Sequence, residues 1–205
     1  MGKEMNISVI NIRDLLAENQ EQLLRAYIET YSCEQEKDGK KTSLNPDIER
    51  FLNHSAIQFA RMKTGMTYLV IDEEDGALLG YFSLAHKPLE IPAEGIPRKI
   101  REKVKRFSAL DEENNCYQVS AFLIGQFGKN YAVENGLRIS GATMMNLAMD
   151  QLRFAQDTIG GTIVYLDCEA DAELIQFYEG QKFTLFGERI SDNDGKRYLQ
   201  YMNFV

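Results

Sequence analysis

The segment Thr162 to Leu166 constrains the fold of this chain more than any other. It reads Thr-Ile-Val-Tyr-Leu, without the polar alternation of a strand that faces water on one side. Such a continuous run is typical of a strand buried on both faces. Apolar residues at helical spacing precede it in Ser140 to Gln156, and a shorter helix is indicated at Asp171 to Gly180. The sequence therefore predicts a sheet with helices on both faces.

The rest of the chain alternates between helical and strand patterns in the same way. Helical spacing runs through Gln20 to Tyr31, and Asn45 and Pro46 open a second helix that reaches about Lys63. Strand patterns occupy Asn6–Asn11, Met66–Ile71, Ala77–Leu84, Tyr117–Phe127, Phe183–Gly187 and Arg197–Phe204. Glu34 to Ser43 and Pro88 to Pro97 are predicted loops. This order predicts one α/β domain over residues 1–205, with a mixed sheet of six to seven strands.

Composition excludes several classes of protein. No stretch approaches the roughly 20 apolar residues of a membrane helix, and the first residues lack the apolar core of a signal peptide, so a cytoplasmic location is expected. The cysteines, Cys33, Cys116 and Cys168, show no CxxC spacing and are expected to pack as small apolar groups. His54 and His86 form no HxxxH pair, so no metal site is predicted.

The charge balance argues against a nucleic-acid partner. Lysine and arginine total 23 against 31 acidic residues, a formal charge of −8, which opposes approach to a phosphate backbone. The exception is the basic run Arg98 to Arg106. We interpret it as the solvated face of a short amphipathic helix, with a site for an anionic acceptor or for cofactor phosphates as the alternative.

A strand, a glycine-containing loop and a helix form the most informative segment. Gly125 and Gly128 lie within the strand, where glycine marks a bulge or a close approach by backbone or ligand. Gly136 and Ser140 precede the helix, whose free N–H groups and positive dipole end suit a pyrophosphate. An N-cap at Ser140 and an ordinary left-handed turn at Gly136 explain these residues equally well.

A second informative segment runs from Leu174 to Phe183. It places Tyr178 near the end of a short helix, just before a glycine turn and a strand. A buried tyrosine usually packs and hydrogen-bonds. The functional alternative is a proton donor to a leaving thiolate, because phenol and thiol have comparable pKa values of about 9–10.

Together, the two segments resemble the GNAT acyltransferase superfamily. The family pattern is a bulged strand, a loop of the form Q/R-x-x-G-x-G/A that opens a helix, another strand, and a helix that ends in F/L-Y-E-x-x-G-F. The corresponding segments here are Leu123–Lys129, Asn135–Met145, Thr162–Asp167 and Phe177–Phe183. The match covers the C-terminal half, and the N-terminal half fits the architecture more loosely. Asn135, Arg138 and Ser140 depart from the loop pattern.

The resemblance implies the GNAT fold, whose splayed middle strands leave a slot for acetyl-CoA as cosubstrate. Tyr178 is implied as the catalytic acid, in a direct attack by an acceptor amine without a covalent enzyme intermediate. The implied cofactor-binding residues are Phe127, Gly128, Lys129, Gly136, Leu137, Arg138, Ile139, Ser140, Gly141, Ala142 and Thr143. Asp171 either contacts the cofactor or caps its helix. The candidate general bases are Glu73, His86 and Glu169.

Three functions remain open from the sequence. The first is an N-acetyltransferase acting on an amine of unknown identity. The second is a non-catalytic acyl-CoA-binding module, suggested by the irregular loop. The third is a toxin that acetylates aminoacyl-tRNA, which the acidic net charge disfavours and the basic run favours. Homodimerisation is also left open.

Overall fold

The computed structural model describes residues 6–37, 40–43, 45–132, 139–191 and 195–205. The helices are α1 (Ile12–Ala17), α2 (Glu21–Glu29), α3 (Pro46–His54), α4 (Ala56–Met62), α5 (Arg98–Val104), α6 (Gly141–Ile159) and α7 (Ala172–Gly180). The strands are β1 (Ile7–Asn11), β2 (Glu34–Lys37), β3 (Lys40–Ser43), β4 (Met66–Asp72), β5 (Leu78–Pro92), β6 (Leu110–Asp111), β7 (Cys116–Lys129), β8 (Ile163–Glu169), β9 (Thr184–Ile190) and β10 (Arg197–Phe204).

The described residues form a mixed sheet of eight strands and a separate two-stranded sheet, β2–β3. The order of the larger sheet is β1-β4-β5-β7-β8-β10-β9, with β6 paired to β7. β7 and β8 are parallel, whereas the β1–β4, β4–β5, β8–β10 and β9–β10 pairs are antiparallel. Helices lie on both faces. The α/β class and mixed sheet are confirmed, and the strand beyond the six to seven predicted is β6, whose two residues are too short to show a pattern.

The parallel pair β7–β8 has a short ladder. Its register covers Phe122 opposite Val164 and Leu123 opposite Tyr165. By contrast, β8 pairs with β10 along its whole length, from Ile163 to Glu169. β8 therefore contacts β7 only near its own first residues, as expected for the splayed middle strands of the predicted fold.

The chain divides into two compact units. Unit 1 contains residues 1–85 and 125–151. Its core is an apolar cluster supplied by α1 to α4, β4 and β5, with Ile12, Leu24, Ala56, Ala60, Leu69 and Tyr81 fully buried. The helix α1 was not predicted, although asparagine is a preferred N-cap residue and Asn11 precedes it. The Asn11 side chain accepts a hydrogen bond from the Arg13 N–H at 3.0 Å and caps the helix.

Unit 2 contains residues 86–124 and 152–205. Its core is a second apolar cluster, supplied by the second half of β5 with α5, β7, β8, β9 and β10. The helix α5 contributes Ile100 and Val104, one turn apart, to this cluster. The interpretation of the basic run as one face of a short amphipathic helix is therefore confirmed.

Two predicted loops contain strands. The segment from Glu34 to Ser43 includes the hairpin β2–β3, which the lysine-rich composition concealed. The strand β5 continues through Pro88 to Pro92. Leu89 and Ile91 alternate inward there, while the prolines lie at exposed positions. The predicted helix from Asn45 to Lys63 is broken at Ser55 into α3 and α4.

Candidate functional site

Gly80 of β5 brings together the two predicted cofactor-binding segments of unit 1. A Cβ atom built on Gly80 would lie 2.7 Å from the Gly128 carbonyl oxygen and 2.8 Å from the Met144 sulfur. Real Cβ atoms do not approach so closely, so this position accepts only glycine unless its neighbours move. The end of β7 and the first turns of α6 therefore meet over Gly80, a residue that the sequence analysis did not single out.

Ser140 is the N-cap of α6. Its Oγ accepts a hydrogen bond from the Thr143 N–H at 2.9 Å and lies 2.7 Å from the Thr143 Oγ1. The N-cap interpretation left open by the sequence is thereby confirmed. Helix geometry leaves the N–H groups of Gly141 and Ala142 without partners inside the helix. These two groups are the donors that the first turn offers to an anion.

Asn130 anchors the chain where it leaves β7. Its side chain is buried, and its amide nitrogen donates to the carbonyls of Thr30 at 2.9 Å and Leu78 at 2.8 Å. Its carboxamide oxygen accepts from the N–H groups of Ser32 and Ala132, both at 3.0 Å. Every hydrogen-bonding position of this side chain is used. Sequence analysis had no signal for this role, because the partners lie far away along the chain.

The remaining predicted cofactor-binding residues are placed as follows. Phe127, Gly128 and Lys129 end β7 and are half-buried. Ile139 is buried, so it offers a ligand only its main chain. Ala142 is exposed and Gly141 half-buried, both in the first turn of α6. Gly136, Leu137 and Arg138 lie outside the described residues.

Tyr178 lies in unit 2, near the end of α7. Its side chain is buried among the rings of Phe177, Phe183 and Tyr201, at centroid distances of 5.1, 6.1 and 6.3 Å. Burial, with a smaller contribution from Cys168, raises the pKa of Tyr178 above its ordinary value. The phenol is therefore protonated at neutral pH, as a proton donor must be. Asp171 caps α7, since its Oδ1 accepts from the N–H groups of Glu173 and Leu174.

The three cysteines are buried, as expected, and none of them forms a disulfide. Burial, followed by the nearby carboxylates of Asp167 and Asp171, raises the pKa of the Cys168 thiol to about 11. Cys168 is thus a neutral thiol at pH 7 and a poor nucleophile. Within the described parts of the chain, no group of three or more metal-ligating side chains is placed to hold a metal ion.

The three candidate general bases lie in different surroundings. Glu73 is exposed in the β4–β5 turn. Glu169 accepts a hydrogen bond from the Lys196 ammonium at 2.9 Å. The His86 Nε2 lies 2.9 Å from the Ser120 Oγ, and its ring packs against Phe122. These contacts identify none of the three as the base.

Helix α5 turns a basic face away from its core contacts. Arg98, Lys99 and Arg106 at or beside this helix are exposed. Two other cations have neighbours: the Lys105 ammonium lies 3.3 Å from Glu102, and the Lys103 ammonium lies over the Phe204 ring. The positive charge of the run is therefore presented to solvent, apart from one ion pair and one cation–π contact.

Comparisons with known proteins identify the fold. No protein-family model matches the sequence, and no curated protein matches it. Among solved structures, AtaT complexed with acetyl-methionyl-tRNAfMet has a TM-score of 0.61 at 13% identity, over 95% of this chain and 94% of that one. The AtaTR complex bound to acetyl-CoA has a TM-score of 0.55 at 12% identity, over 97% and 93%. A tyrosine-to-phenylalanine mutant of KacT has a TM-score of 0.59 at 12% identity, over 95% and 94%.

This chain has the GNAT fold. The neighbours AtaT and KacT are GNAT-fold proteins, and the likeness runs over nearly the whole length of each chain. The predicted resemblance is confirmed at the level of the fold. At such low identity the likeness carries no further than that.

The expectation that a nucleic-acid partner is unlikely is not supported, because one neighbour was solved with a tRNA. Net charge averages over the whole chain and hides a local basic face such as that of α5. As for membranes, none of the helices in the described residues is long and apolar enough to cross one.

Proposed function

We propose that this protein is an acetyl-CoA-dependent N-acetyltransferase and that its acceptor is the amine of an aminoacyl-tRNA. The observation that carries the proposal is the near full-length likeness to AtaT in complex with acetyl-methionyl-tRNAfMet. A second neighbour, the AtaTR complex, contains acetyl-CoA. The expectation of a GNAT enzyme from the sequence agrees with both.

The basic face of α5 supports a nucleic-acid acceptor despite the net charge of −8. Six of the nine residues from Arg98 to Arg106 are basic, and one is acidic. Such a local face attracts phosphates by Coulomb forces and by release of condensed counterions. The acidic remainder of the surface limits binding elsewhere on the molecule.

The chain's own residues account for most of the proposed reaction. The end of β7 pairs with the pantetheine arm through its main chain, and the Gly141 and Ala142 N–H groups bind the pyrophosphate. The acceptor nitrogen attacks the thioester carbonyl carbon, the carbon–sulfur bond breaks, and Tyr178 gives its hydroxyl proton to the departing sulfur. The proton lost by the amine passes to a base or water that is not assigned.

The direct test is acetyl transfer from labelled acetyl-CoA to charged tRNA, with deacylated tRNA and free amino acid as controls. We expect mass spectrometry to find an acetylated amino acid on the tRNA only when the tRNA is charged. Transfer to free amines or to a protein N-terminus instead would retain the acetyltransferase and reject this acceptor.

The non-catalytic acyl-CoA-binding module is the second candidate. It is favoured by the loop departures at Asn135 and Arg138 and by the engagement of the Thr143 N–H with Ser140. Binding of acetyl-CoA in calorimetry without acetylated product from any amine tested would select this candidate.

The role of α5 has its own experiment. Reversing two exposed charges, Arg98→Glu with Lys99→Glu, is expected to weaken tRNA binding about tenfold. The slope of log K against log salt concentration should become less steep by about one for each lost phosphate contact. The control Arg25→Glu with Arg61→Glu changes the net charge equally on unit 1, at cations paired with Glu21. Equal weakening by both pairs would show that net charge, and not α5, governs binding.

A further inference from the structure

Tyr31 holds a buried hydroxyl that has no hydrogen-bond partner in the described part of the chain. The residue follows α2 in unit 1, and its side chain is only 4% exposed. Among the described residues, its Oη has no hydrogen-bond partner. An unsatisfied buried hydroxyl costs about 1–3 kcal/mol, so each such group calls for an explanation.

The neighbouring Tyr81 shows that this pocket is able to satisfy a phenol. The two rings pack edge to face with centroids 5.1 Å apart. The Tyr81 hydroxyl donates to the Ile48 carbonyl at 2.5 Å. The adjacent Tyr31 hydroxyl makes no such bond to a described residue.

The Tyr31 hydroxyl lies against Gly128 of β7. A Cβ built on Gly128 would collide with this hydroxyl and would lie 2.9 Å from the Ile48 Cγ2. Glycine at this position is thus required by Tyr31 and Ile48, and its main chain is approached directly by a phenol. Burial, followed by the nearby Cys33 and Glu49, raises the pKa of Tyr31, so its hydroxyl keeps its proton and is available as a donor.

We propose that the Tyr31 hydroxyl donates a hydrogen bond to a carbonyl oxygen of the acyl-pantetheine arm where that arm passes Gly128. The arm offers the thioester carbonyl and the amide carbonyls of pantetheine, all acceptors without a proton of their own. The inference rests on the proposed acetyl-CoA site at the end of β7. It assigns a ligand contact to Tyr31, a residue of the N-terminal half for which the sequence analysis proposed none.

Tyr31→Phe is expected to lower the affinity for acetyl-CoA without lowering the stability of the free protein. Tyr31→Phe removes a hydroxyl that has no partner, so the urea midpoint of the free protein is expected to stay the same or rise. Affinity for acetyl-CoA in calorimetry is expected to fall about fivefold, the value of one net hydrogen bond. The matched control Tyr81→Phe strips the Ile48 carbonyl of its donor, and we expect lower stability with acetyl-CoA affinity changed less than twofold.

Free CoA distinguishes the two kinds of carbonyl. If Tyr31→Phe weakens acetyl-CoA and CoA equally, the partner is a pantetheine amide; if it weakens acetyl-CoA alone, the partner is the thioester. Either result supports the proposal. Unchanged affinity for both ligands, or a variant that loses stability or fails to fold, overturns it, because the hydroxyl then has a structural partner or no ligand.

The wild-type protein separates this inference from the proposed function. If the wild type binds acetyl-CoA and Tyr31→Phe binds it equally well, only the role of Tyr31 is rejected. If the wild type itself shows no binding at millimolar acetyl-CoA, both are rejected. A variant that changes only the KM of the acceptor, with acetyl-CoA binding intact, also overturns the contact stated here.

Discussion

The end of β7 and the end of α7 each bury a polar side chain, and the two side chains are used differently. Asn130 makes four side-chain hydrogen bonds, all to main-chain groups of unit 1. Tyr178, in unit 2, is surrounded by aromatic rings. The hydrogen bonds of Asn130 hold the fold, whereas Tyr178 packs through its ring, and the use of its hydroxyl as a proton donor is a proposal to be tested.

Asn130→Ala leaves four main-chain groups without their partner, and at about 1 kcal/mol for each net hydrogen bond we expect a loss of about 3–4 kcal/mol in the free energy of unfolding. Urea denaturation measures this loss. The control Asn53→Ala, an exposed asparagine with one bond to the Glu49 carbonyl, is expected to change stability by about 0.5 kcal/mol or less. Equal losses in the two variants would refute the anchoring role.

Substitution of Tyr178 is predicted to lower activity and to leave stability nearly unchanged. Tyr178→Phe keeps the ring packing, so stability should hardly change, while loss of the general acid lowers kcat about 100-fold, or about 2.7 kcal/mol. The control is Tyr201→Phe, the neighbouring buried tyrosine, for which we expect less than about a threefold change in kcat. A Tyr178→Phe enzyme with full activity would remove the acid role and leave the tyrosine as a packing residue.

The pH dependence follows from the raised pKa of Tyr178. A group whose pKa is higher in the folded than in the unfolded protein stabilises the fold below the unfolded value, about 10 for tyrosine, and this stability is lost as the pH rises through the folded value. We therefore expect no alkaline decline from this acid below about pH 10, and unfolding above that pH. A decline in kcat centred near pH 8 would indicate another group as the acid.

Local patterns in the sequence were sufficient for much of this structure. The N-caps at Asn45 and Asp171 and the covered strand at Thr162–Leu166 rely on neighbouring residues, and all three were visible in the sequence. Local chemistry also identified Ser140 as an N-cap, which the Thr143 contact confirms, whereas its place in a pyrophosphate site stays a prediction.

What the sequence did not reveal depends on distant partners. Asn130 bonds to groups 52 and 100 residues away, and the close contact of Gly80 with Gly128 joins two strands. The sequence also gives no indication that the Tyr31 hydroxyl has no hydrogen-bond partner among the described residues. The proposed roles of Tyr178 and of the β7–α6 segment came from the family resemblance, and experiments on these residues remain the test.

Gly80 lies where β5 meets the end of β7 and the first turns of α6. Gly80→Ala forces a Cβ against the Gly128 carbonyl oxygen and the Met144 sulfur. The methionine end can move, but the carbonyl cannot without shifting β7, so we expect a loss of about 1–3 kcal/mol in stability. Because the same shift displaces both proposed binding segments, acetyl-CoA affinity should fall as well. The control Gly180→Ala places its Cβ in open space, so acetyl-CoA affinity should be unchanged and stability should not fall.

Ser140→Ala has the smallest expected effect. It distinguishes a polar side chain that only caps a helix from one that also binds a ligand. Ser140→Ala removes the cap of α6 and should cost about 1 kcal/mol, the same as Asp171→Ala at the cap of α7. If the first-turn N–H groups bind the pyrophosphate, acetyl-CoA affinity should change less than about twofold, since the Thr143 N–H is released to the ligand as its cap is lost. A tenfold loss of affinity for Ser140→Ala, with none for Asp171→Ala, would instead make the Ser140 hydroxyl itself a ligand for the phosphate. Ser140 would then be a binding residue as well as a cap.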